Sequence, residues 1–250
     1  MSRPLEGRHA LVTGAARGNG AAIAEGLAAA GAHVLLVDID GAGARQTAEA
    51  IVARGGRADA ATLDVCDADA CAALAEKGRR ERPLDILVNN AGILVRATLD
   101  TESGRTDWER TLSVNLQGTY NVTMAFLDQL KARRGCIVSI ASVNAYAAPR
   151  GSGAYNVSKA ALVQFTRSLA SELAADGVRV NAIAPGIIAT DMTVSTRSEP
   201  GRLEAYLRHV PMQRVGEPRE LAGPVVFLCS DAASYVTGAV LPVDGGFLVV

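Results

Sequence analysis

The sequence predicts an α/β fold in which helices cover both faces of a doubly wound parallel sheet of seven strands. Short apolar runs rich in Val, Ile and Leu alternate along the chain with longer Ala-rich segments of helical period. That alternation is typical of repeated βαβ units. With 250 residues and a 49% hydrophobic composition, the chain can bury one substantial core. We therefore expect a single domain over residues 1–250.

Seven segments have the composition of strands that are buried on both faces, since they are nearly continuous in apolar residues. The predicted strands are 9–14, 33–38, 58–65, 84–90, 136–142, 178–185 and 239–245. The predicted helices between them are 20–30, 42–54, 68–80, 106–132, 154–175 and 218–230. One long segment, 187–217, lacks clear periodicity. Loops of this length in compact domains are usually functional, so we interpret it as a substrate lid.

The composition argues against several classes of function. The 25 basic and 26 acidic residues nearly cancel and form no basic run, so neither nucleic acid nor an anionic membrane is an expected partner. No apolar stretch reaches the length of a membrane span. The four cysteines and three histidines have no metal-site spacing, so no metal is expected. The N-terminus lacks a signal-peptide pattern. We expect a cytoplasmic protein that acts on small molecules.

A glycine-rich turn, TGAARGNG, follows the first predicted strand. Gly14, Gly18 and Gly20 let the backbone turn tightly and direct amide groups and a helix N-terminus towards a phosphate. Glycines alone could simply end a strand. Asp38, however, ends the second strand eighteen residues after Gly20, near the spacing of an acid that binds a ribose hydroxyl. Together these features predict a dinucleotide-binding site.

The predicted helix 154–175 carries Tyr155 near its start and Lys159 one turn later. Tyr155 and Leu162 fall on one apolar stripe, with Lys159 at its edge. A tyrosine and a lysine at this spacing are usually only packing and a solvated charge. Burial of an ammonium is costly unless a neighbour requires it, however, and this chain has only three lysines. Lys159 is therefore a candidate functional residue.

Further motifs occur in the order found in one known family. They are T-G-x-x-x-G-x-G at Thr13–Gly20, Asp64-Val65, Asn89-Asn90-Ala91-Gly92, Asn115, Ser142, Tyr155-x-x-x-Lys159, and Pro185-Gly186 followed by Thr190. In these features, from end to end, the chain resembles the classical short-chain dehydrogenase/reductases. The resemblance implies a Rossmann-type fold and an oxidoreductase that transfers a hydride between NAD(H) and a secondary alcohol or ketone.

The resemblance also implies a catalytic tetrad of Asn115, Ser142, Tyr155 and Lys159. Tyr155 would be the general acid and base, Ser142 would bond the substrate oxygen, and Asn115 would position a water that relays protons. Lys159 would hold the nicotinamide ribose and lower the pKa of Tyr155. An ammonium about 4 Å away at an effective dielectric of about 20 contributes about 4 kcal/mol, enough to lower a phenol pKa by roughly three units.

The resemblance places the cofactor along the same edge of the sheet. Asp64 and Val65 would lie beside the adenine, although Asp64 could instead cap a helix, and the Asn89 and Asn90 turn could be partly structural. Ile188 and Thr190 would hold the nicotinamide carboxamide. The residues implied to bind the cofactor are Gly14, Arg17, Gly18, Asn19, Gly20, Asp38, Asp64, Val65, Asn90, Ala91, Gly92, Tyr155, Lys159, Pro185, Gly186, Ile188 and Thr190.

Two residues disagree about the choice of cofactor. Arg17 precedes Gly18, where a basic residue in this family can meet the 2′-phosphate of NADP. Asp38 favours NAD, because its carboxylate would repel that phosphate and the two residues after it supply no cation. We predict NAD. Asn19 departs from the family, which usually has an aliphatic residue there, and should make one edge of the pocket more polar.

The expected substrate-lining segments, 93–96, 143–144, 187–188 and 192–209, are mostly apolar with scattered Arg and Glu. They fit several alcohols. Two other functions stay open: an NADPH-dependent 3-oxoacyl-carrier-protein reductase, which would need an exposed basic patch, and a non-catalytic dinucleotide-binding regulatory protein. The apolar end 247–250, and the segment 221–228 whose family counterparts pack across a subunit boundary, predict a homotetramer with twofold symmetry.

Overall fold

The computed structural model describes residues 3–199 and 201–249. Seven parallel strands form one sheet in the order β3-β2-β1-β4-β5-β6-β7. The strands are β1 (His9–Thr13), β2 (His33–Asp38), β3 (Arg57–Thr62), β4 (Ile86–Asn89), β5 (Cys136–Ile140), β6 (Arg179–Pro185) and β7 (Val240–Val243). The predicted Rossmann-type, single-domain fold with a seven-stranded parallel sheet is confirmed.

Helices cover both faces of this sheet. They are α1 (Gly18–Ala29), α2 (Gly41–Ala53), α3 (Ala68–Glu81), α4 (Gly104–Leu112), α5 (Gly118–Arg133), α6 (Gly153–Leu173), α7 (Val194–Ser198), α8 (Arg202–Leu207) and α9 (Ala222–Cys229). One hydrophobic core lies between the sheet and α1, α2 and α9, and a second lies between the sheet and α3, α5 and α6. Strand β1 contributes Val12 to the first core and Leu11 to the second, as the alternation of side chains along a strand requires.

The order of the strands determines where a ligand can bind. The chain passes from β1 outwards to β2 and β3, and then returns to pair β4 with the other side of β1. In open α/β sheets, this reversal leaves a crevice at the carboxyl ends of the strands. The crevice here lies beyond Thr13 and Asn89, the last residues of β1 and β4.

Two predicted elements differ from the structure. The helix expected over 106–132 is divided into α4 and α5 by a five-residue π turn at Ser113–Gln117. The segment 187–217, expected to be irregular, contains the short helices α7 and α8. Each has only five or six residues, which is too short for a periodic apolar pattern to emerge from the sequence.

Within the described residues, none of the helices combines the length and the apolar character needed to cross a lipid bilayer.

Candidate active site

A cavity of about 750 Å³ opens at the carboxyl ends of the strands. Almost every residue that the sequence analysis assigned to the site lines it, from Gly14 at the glycine-rich turn to Thr190 after β6. Asn115 is the exception, because it is fully buried behind the cavity wall. The structure therefore brings together residues that are up to 176 positions apart in the chain, as shown by Gly14 and Thr190.

The glycine-rich turn packs tightly against the end of β4. A Cβ atom on Gly20 would lie 2.1 Å from the carbonyl oxygen of Gly14, and one on Gly14 would lie 2.8 Å from the Cα atom of Ala91. Asn90 ties the two loops together, because its Nδ2 donates to the carbonyl oxygens of Thr13 and Gly14 at 2.9 Å. Asn90 is thus a brace as well as a lining residue. Gly18, with a φ of 58°, begins α1 beside this turn.

The Thr13 hydroxyl is a bracing group that the sequence analysis missed. Its oxygen accepts hydrogen bonds from the backbone N–H groups of Asn90 and Ala91, both at 3.0 Å. The signal was present in the sequence, because Thr13 opens the motif that carries the resemblance. Its side chain connects the end of β1 to the β4 loop and thereby fixes the width of the cleft.

Asp38 lies at the end of β2 and lines the cavity. Its carboxylate accepts hydrogen bonds from the backbone N–H of Ala16 at 3.0 Å and from that of Asp40 at 2.9 Å. These bonds fix the orientation of the carboxylate. Arg17, by contrast, is 72% exposed, and its Nε lies 4.0 Å from a carboxylate oxygen of the exposed Asp191. The acid is held by two backbone hydrogen bonds, whereas the base is exposed and makes only a long ion-pair contact.

Asp64 is not a helix cap, so that alternative is wrong. The residue that caps α3 is Asp67, whose carboxylate accepts from the N–H of Ala70 at 2.9 Å. Asp64 instead forms a local turn in which its side chain accepts from the N–H of Cys66, also at 2.9 Å. It lines the cavity together with Val65, where the resemblance places the adenine.

Asn115 lies in the π turn between α4 and α5. Its Oδ1 accepts from the N–H of Ile93 at 2.8 Å, and its Nδ2 donates to the carbonyl oxygen of Ile93 and to the hydroxyl oxygen of Ser158, both at 3.0 Å. The widened turn is the local irregularity that directs this side chain inwards, and such turns are frequent at functional sites. Asn115 joins the β4 loop to α6, and its proposed role towards a water stays a prediction.

Tyr155, Ser142 and Lys159 meet at the N-terminal end of α6. Tyr155 is 9% exposed, and Lys159 is 4% exposed. The Lys159 ammonium lies 5.6 Å from the centroid of the Tyr155 ring and donates to the carbonyl oxygen of Ile140 at 2.7 Å. That carbonyl ends β5 and is the partner that makes burial of the lysine tolerable.

The expected fall in the pKa of Tyr155 is wrong for this structure. Burial raises the pKa of Tyr155, while hydrogen bonding with Ser142 and the charge of Arg96 act to lower it. Burial also lowers the pKa of Lys159 from 10.5 to about 8. An ammonium near a phenol lowers the phenol pKa, but the loss of solvation of each buried group acts in the opposite direction. In addition, the ammonium is directed to Ile140 rather than to the phenol oxygen.

The loop after β6 forms the opposite wall of the cavity. Its Gly186 has no room for a side chain, because a Cβ atom there would lie 2.7 Å from the hydroxyl oxygen of Tyr206. That hydroxyl accepts a hydrogen bond from the N–H of Ile187 at 2.9 Å. The ring of Tyr206 stacks on Phe247 with the centroids 4.9 Å apart. Tyr206 and Phe247 both line the cavity.

Phe247 was interpreted from the sequence as part of a subunit contact. The structure places it in the wall of its own active site, because it stacks on Tyr206 of α8. Val249 is largely exposed, and Val250 lies outside the described residues. The sequence analysis missed Phe247 because nothing local links residue 247 to residue 206.

The cavity fits a nicotinamide dinucleotide. Gly14, Gly18 and Gly20 line the cavity at the N-terminus of α1, where backbone N–H groups can approach a pyrophosphate closely. Asp38 provides a fixed acceptor for ribose hydroxyls. In addition, Oδ1 of Asn19 lines this region as a buried acceptor without a hydrogen-bond partner in the described structure. A buried unpaired carbonyl oxygen is costly, and a donor on the cofactor would satisfy it.

Comparisons with known proteins extend over nearly the whole chain. A family model described as enoyl-(acyl carrier protein) reductase matches residues 14–248. The chain is 42% identical to galactitol 2-dehydrogenase (L-tagatose-forming) of Cereibacter sphaeroides, over 98% of this chain and 96% of that protein. It is 43% identical to the 3-oxoacyl-[acyl-carrier-protein] reductase FabG of Aquifex aeolicus (strain VF5), over 98% and 99%.

A solved structure gives a similar result. The gluconate 5-dehydrogenase from Burkholderia cenocepacia J2315, in complex with NADP and tartrate, superposes on this chain with a TM-score of 0.95 at 34% identity. The alignment covers 100% of this chain and 98% of that one. The similarity therefore includes the cavity and both of its walls as well as the sheet.

Proposed function

The chain belongs to the short-chain dehydrogenase/reductases and is an oxidoreductase that acts on secondary alcohols and ketones with a nicotinamide dinucleotide, and we propose that this dinucleotide is NAD. The observation that carries the proposal is the fixed Asp38 carboxylate. Two backbone N–H groups hold it at the edge of the cavity, where it can accept from both hydroxyls of the adenosine ribose. A 2′-phosphate with a charge of about −1.5 to −2 would meet the same carboxylate and be repelled.

Arg17 is the residue that opposes this choice. A guanidinium beside a 2′-phosphate would favour NADP, which is the cofactor bound to the gluconate 5-dehydrogenase of Burkholderia cenocepacia. In this chain, however, the Arg17 side chain extends towards Asp191 and is mostly exposed. The neighbour of Asp38, Ile39, adds no positive charge. One exposed arginine does not offset a fixed carboxylate at the point of contact.

In the proposed reaction, Tyr155 exchanges a proton with the oxygen of the substrate. Its hydroxyl would donate to a carbonyl oxygen during reduction, and its phenolate would accept the proton of an alcohol during oxidation. Ser142 would hold the same oxygen, because it lies close enough to Tyr155 to lower the pKa of that residue. The bound cofactor supplies a hydride acceptor or donor. Burial of Tyr155 excludes water from the proton transfer.

Lys159 and the β6 loop would orient the nicotinamide half of the cofactor. Lys159 is in position to donate to ribose hydroxyls, since its ammonium lies close to the Gly92 backbone that lines the cavity. Ile188 and Thr190 lie on the opposite wall, where the resemblance places the carboxamide. Asn19 would accept a hydrogen bond through its unpaired Oδ1. These groups would determine which face of the ring meets the substrate.

The choice of cofactor can be tested by kinetics and by binding. We expect kcat/KM to be at least about tenfold higher with NAD than with NADP, a difference of about 1.4 kcal/mol. Asp38→Ser should reduce that ratio about tenfold or more, and the fluorescence of bound NADH and NADPH should report a parallel change in Kd. Asp128→Ser, on the exposed face of α5, is the control for loss of an acid. Equal or better use of NADP by the unmodified protein would show that Arg17 outweighs Asp38.

A second candidate activity is the reduction of a 3-oxoacyl thioester on an acyl carrier protein. It is favoured by the 43% identity to the reductase of Aquifex aeolicus and by Arg110 and Arg150, two exposed arginines that line the cavity and could meet an acidic carrier. An acetoacetyl thioester carries a ketone and no secondary alcohol, so the reaction to measure is its reduction by NADPH or NADH. A kcat/KM for acetoacetyl-coenzyme A above that for any polyol or polyhydroxy acid would favour this second activity.

A further inference from the structure

The substrate end of the cavity has an excess of positive charge. Five arginines line the cavity, and one of them, Arg17, lies at the cofactor end. Of the lining acids, Asp38 and Asp64 also lie at the cofactor end, and Asp191 is placed beside Arg17. The remaining arginines are Arg96, Arg110, Arg150 and Arg202. A neutral alcohol would form no ion pair with these arginines.

Arg96 is exposed, but its side chain and its backbone neighbour are both anchored. Its neighbour Ala97 forms a parallel bridge with Ser152, the residue before α6, which anchors the loop beside Tyr155. The Arg96 Nη2 donates to the hydroxyl oxygen of Thr196 at 2.5 Å. Thr196 is buried on α7 and lines the same cavity. The guanidinium is thus positioned by two separate elements while part of it stays accessible in the cleft.

One carboxylate, that of Glu199, lies close enough to Arg96 for its charge to act on the guanidinium. Among residues 3–199 and 201–249, no acidic side chain forms an ion pair with it. Arg202 differs, because its Nη1 lies 2.5 Å from Oε2 of Glu199. Burial lowers the pKa of Arg96 and the positive charge of Arg202 lowers it further, while Glu199 and Tyr155 act to raise it. Two guanidinium groups that repel each other inside a substrate cavity are stabilised when an anion binds between them.

We propose that Arg96, held by Thr196 and assisted by Arg202, binds a carboxylate of the substrate, so that the enzyme acts on polyhydroxy acids of the aldonate class. The inference rests on the proposed function, because it concerns the substrate of the same site. The charge balance at these two guanidinium groups favours a carboxylate over a phosphate: with Arg202 paired to Glu199, Arg96 and Arg202 together keep one uncompensated positive charge, which matches a monoanion.

The rest of the wall suits a chain of hydroxyl groups. Ser142, Asn144, Ser152 and Tyr206 line the cavity with donors and acceptors between Arg96 and the β6 loop. The Ser152 hydroxyl is buried without a hydrogen-bond partner among the described residues, so it is available to a ligand. Arg96 also lies close enough to Tyr155 for each charge to influence the other. A substrate held by its carboxylate at Arg96 can therefore place a secondary alcohol at Tyr155.

The test compares acids and alditols that differ only in the group at C1. D-gluconate and D-glucitol form one pair, and D-galactonate and galactitol form the other. Binding is measured by calorimetric titration of the protein saturated with NADH, in which no alcohol can be oxidised. We expect the unmodified protein to bind at least one acid about tenfold or more tightly than its alditol, as a charge-assisted contact predicts. Arg96→Met should remove that preference without changing the Kd of NADH by more than about twofold.

Three further variants separate charge from packing. Arg96→Lys should keep part of the preference, because it retains the charge and loses the planar fork. Thr196→Val should weaken acid binding through the loss of the contact that fixes the guanidinium. Arg80→Met, on the exposed face of α3, removes an arginine far from the cavity and should change nothing. Higher salt should weaken the binding of the acid more than that of the alditol.

The outcomes distinguish this inference from the proposed function. If neither acid binds more tightly than its alditol, or if Arg96→Met keeps the preference, the carboxylate site is wrong, whichever alcohols are oxidised. If acids bind through Arg96 and no hydride is transferred from any of them to NAD or NADP, the carboxylate site stands and the proposed reaction fails. Oxidation of alditols with no effect of the Arg96 substitution would support the reaction and overturn the site.

Discussion

Tyr155 is the residue on which the proposed chemistry depends most directly. Tyr155→Phe removes only the hydroxyl, so we expect kcat to fall by about 10²- to 10⁴-fold, the usual contribution of a general acid or base. The Kd of NADH should change little, because the hydroxyl transfers a proton and does not hold the cofactor. Lys159→Met should damage both properties. Stopped-flow measurement of hydride transfer and NADH fluorescence separate the two effects.

The role of Tyr155 also predicts how the rates of oxidation and reduction depend on pH. Because burial raises the pKa of Tyr155, the phenolate needed for oxidation should accumulate only at alkaline pH. The rate of oxidation should rise with pH, and the rate of reduction, which uses the protonated phenol, should fall over the same interval. Tyr120→Phe, on the exposed face of α5, is the control and should keep both profiles. A Phe variant with more than a few per cent of the original kcat would rule out Tyr155 as the acid and base.

The position of a residue in the cavity could be predicted from the sequence where it follows from the place of that residue in a motif. Asp38 and Asn90 line the cavity as expected because each ends a strand or begins its loop, and parallel strands bring such ends to one edge. The prediction for the Tyr155 pKa was wrong, because that pKa depends on three-dimensional burial. Arg96 was placed in a substrate-lining segment, but its contact with Thr196 could not be predicted, because that contact depends on how the segment after β6 folds back.

At the level of elements, regular strands and helices could be predicted and the interruptions between them could not. Each strand lies within a few residues of its predicted position; the central strands β1, β4, β5 and β6 are buried and therefore largely apolar. The π turn at Ser113–Gln117 leaves little trace in the sequence, because the residues on either side of it, Leu112 and Gly118, have helical dihedral angles and the helix continues through it. The π turn directs the Asn115 side chain towards Ile93 and Ser158. These contacts join distant parts of the chain, so they cannot be seen in the local sequence.

We propose that the segment 187–217 acts as the substrate lid. Its ends are joined, because the N–H of Ala189 donates to the carbonyl oxygen of Gly216 at 2.8 Å and the N–H of Gly216 donates to that of Ile187 at 3.0 Å. Between these ends the described residues form a 3-10 turn at Asp191–Thr193 and the short helices α7 and α8, which supply Thr196 and Tyr206 to the cavity. The two ends of the lid are thus fixed to each other, whereas the part of the lid above the cleft has little regular secondary structure.

The lid predicts a pattern of proteolysis. Brief digestion with trypsin should cleave first at arginines in the lid, such as Arg197 and Arg208, because short helices open locally at low free-energy cost. NADH should slow this cleavage by about threefold or more, since a ligand that orders the segment stabilises the closed form. Mass spectrometry of the early peptides identifies the sites, with Arg54 after α2 as the internal reference. First cleavage at Arg54, or no effect of NADH on the lid, would contradict this role.

At the level of the whole molecule, two of the apolar surfaces that the described residues leave exposed bear on assembly. One is formed by α9 and the edge strand β7, where Phe227 is 41% exposed and Leu241 is 38% exposed. The other lies on α5 and α6, where Tyr120 and Val157 are exposed. The two surfaces belong to different faces of the sheet, since α9 and α5 pack in separate cores. Two distinct apolar patches are what a twofold-symmetric tetramer uses for its two kinds of contact.

We therefore predict a homotetramer, although the basis differs from the sequence argument. Phe247 stacks on its own chain, and Leu221, Val225 and Leu228 are buried in their own core, so most of the residues singled out from the sequence do not form the outer surface. What remains available is Phe227, together with the edge of β7. An exposed edge strand also presents unpaired backbone groups, which association with a second copy would cover.

The prediction is tested by sedimentation velocity at micromolar concentration. The unmodified protein should sediment as a single species of about four times the chain mass of 25.9 kDa. Phe227→Glu and Val157→Glu should each give dimers, because each places a charge in one of the two contacts and leaves the other intact. The double variant should be monomeric. Val52→Glu, at an exposed apolar position on α2 away from both surfaces, is the matched control and should remain a tetramer. A monomer formed by the unmodified protein would show that both apolar surfaces stay in contact with water.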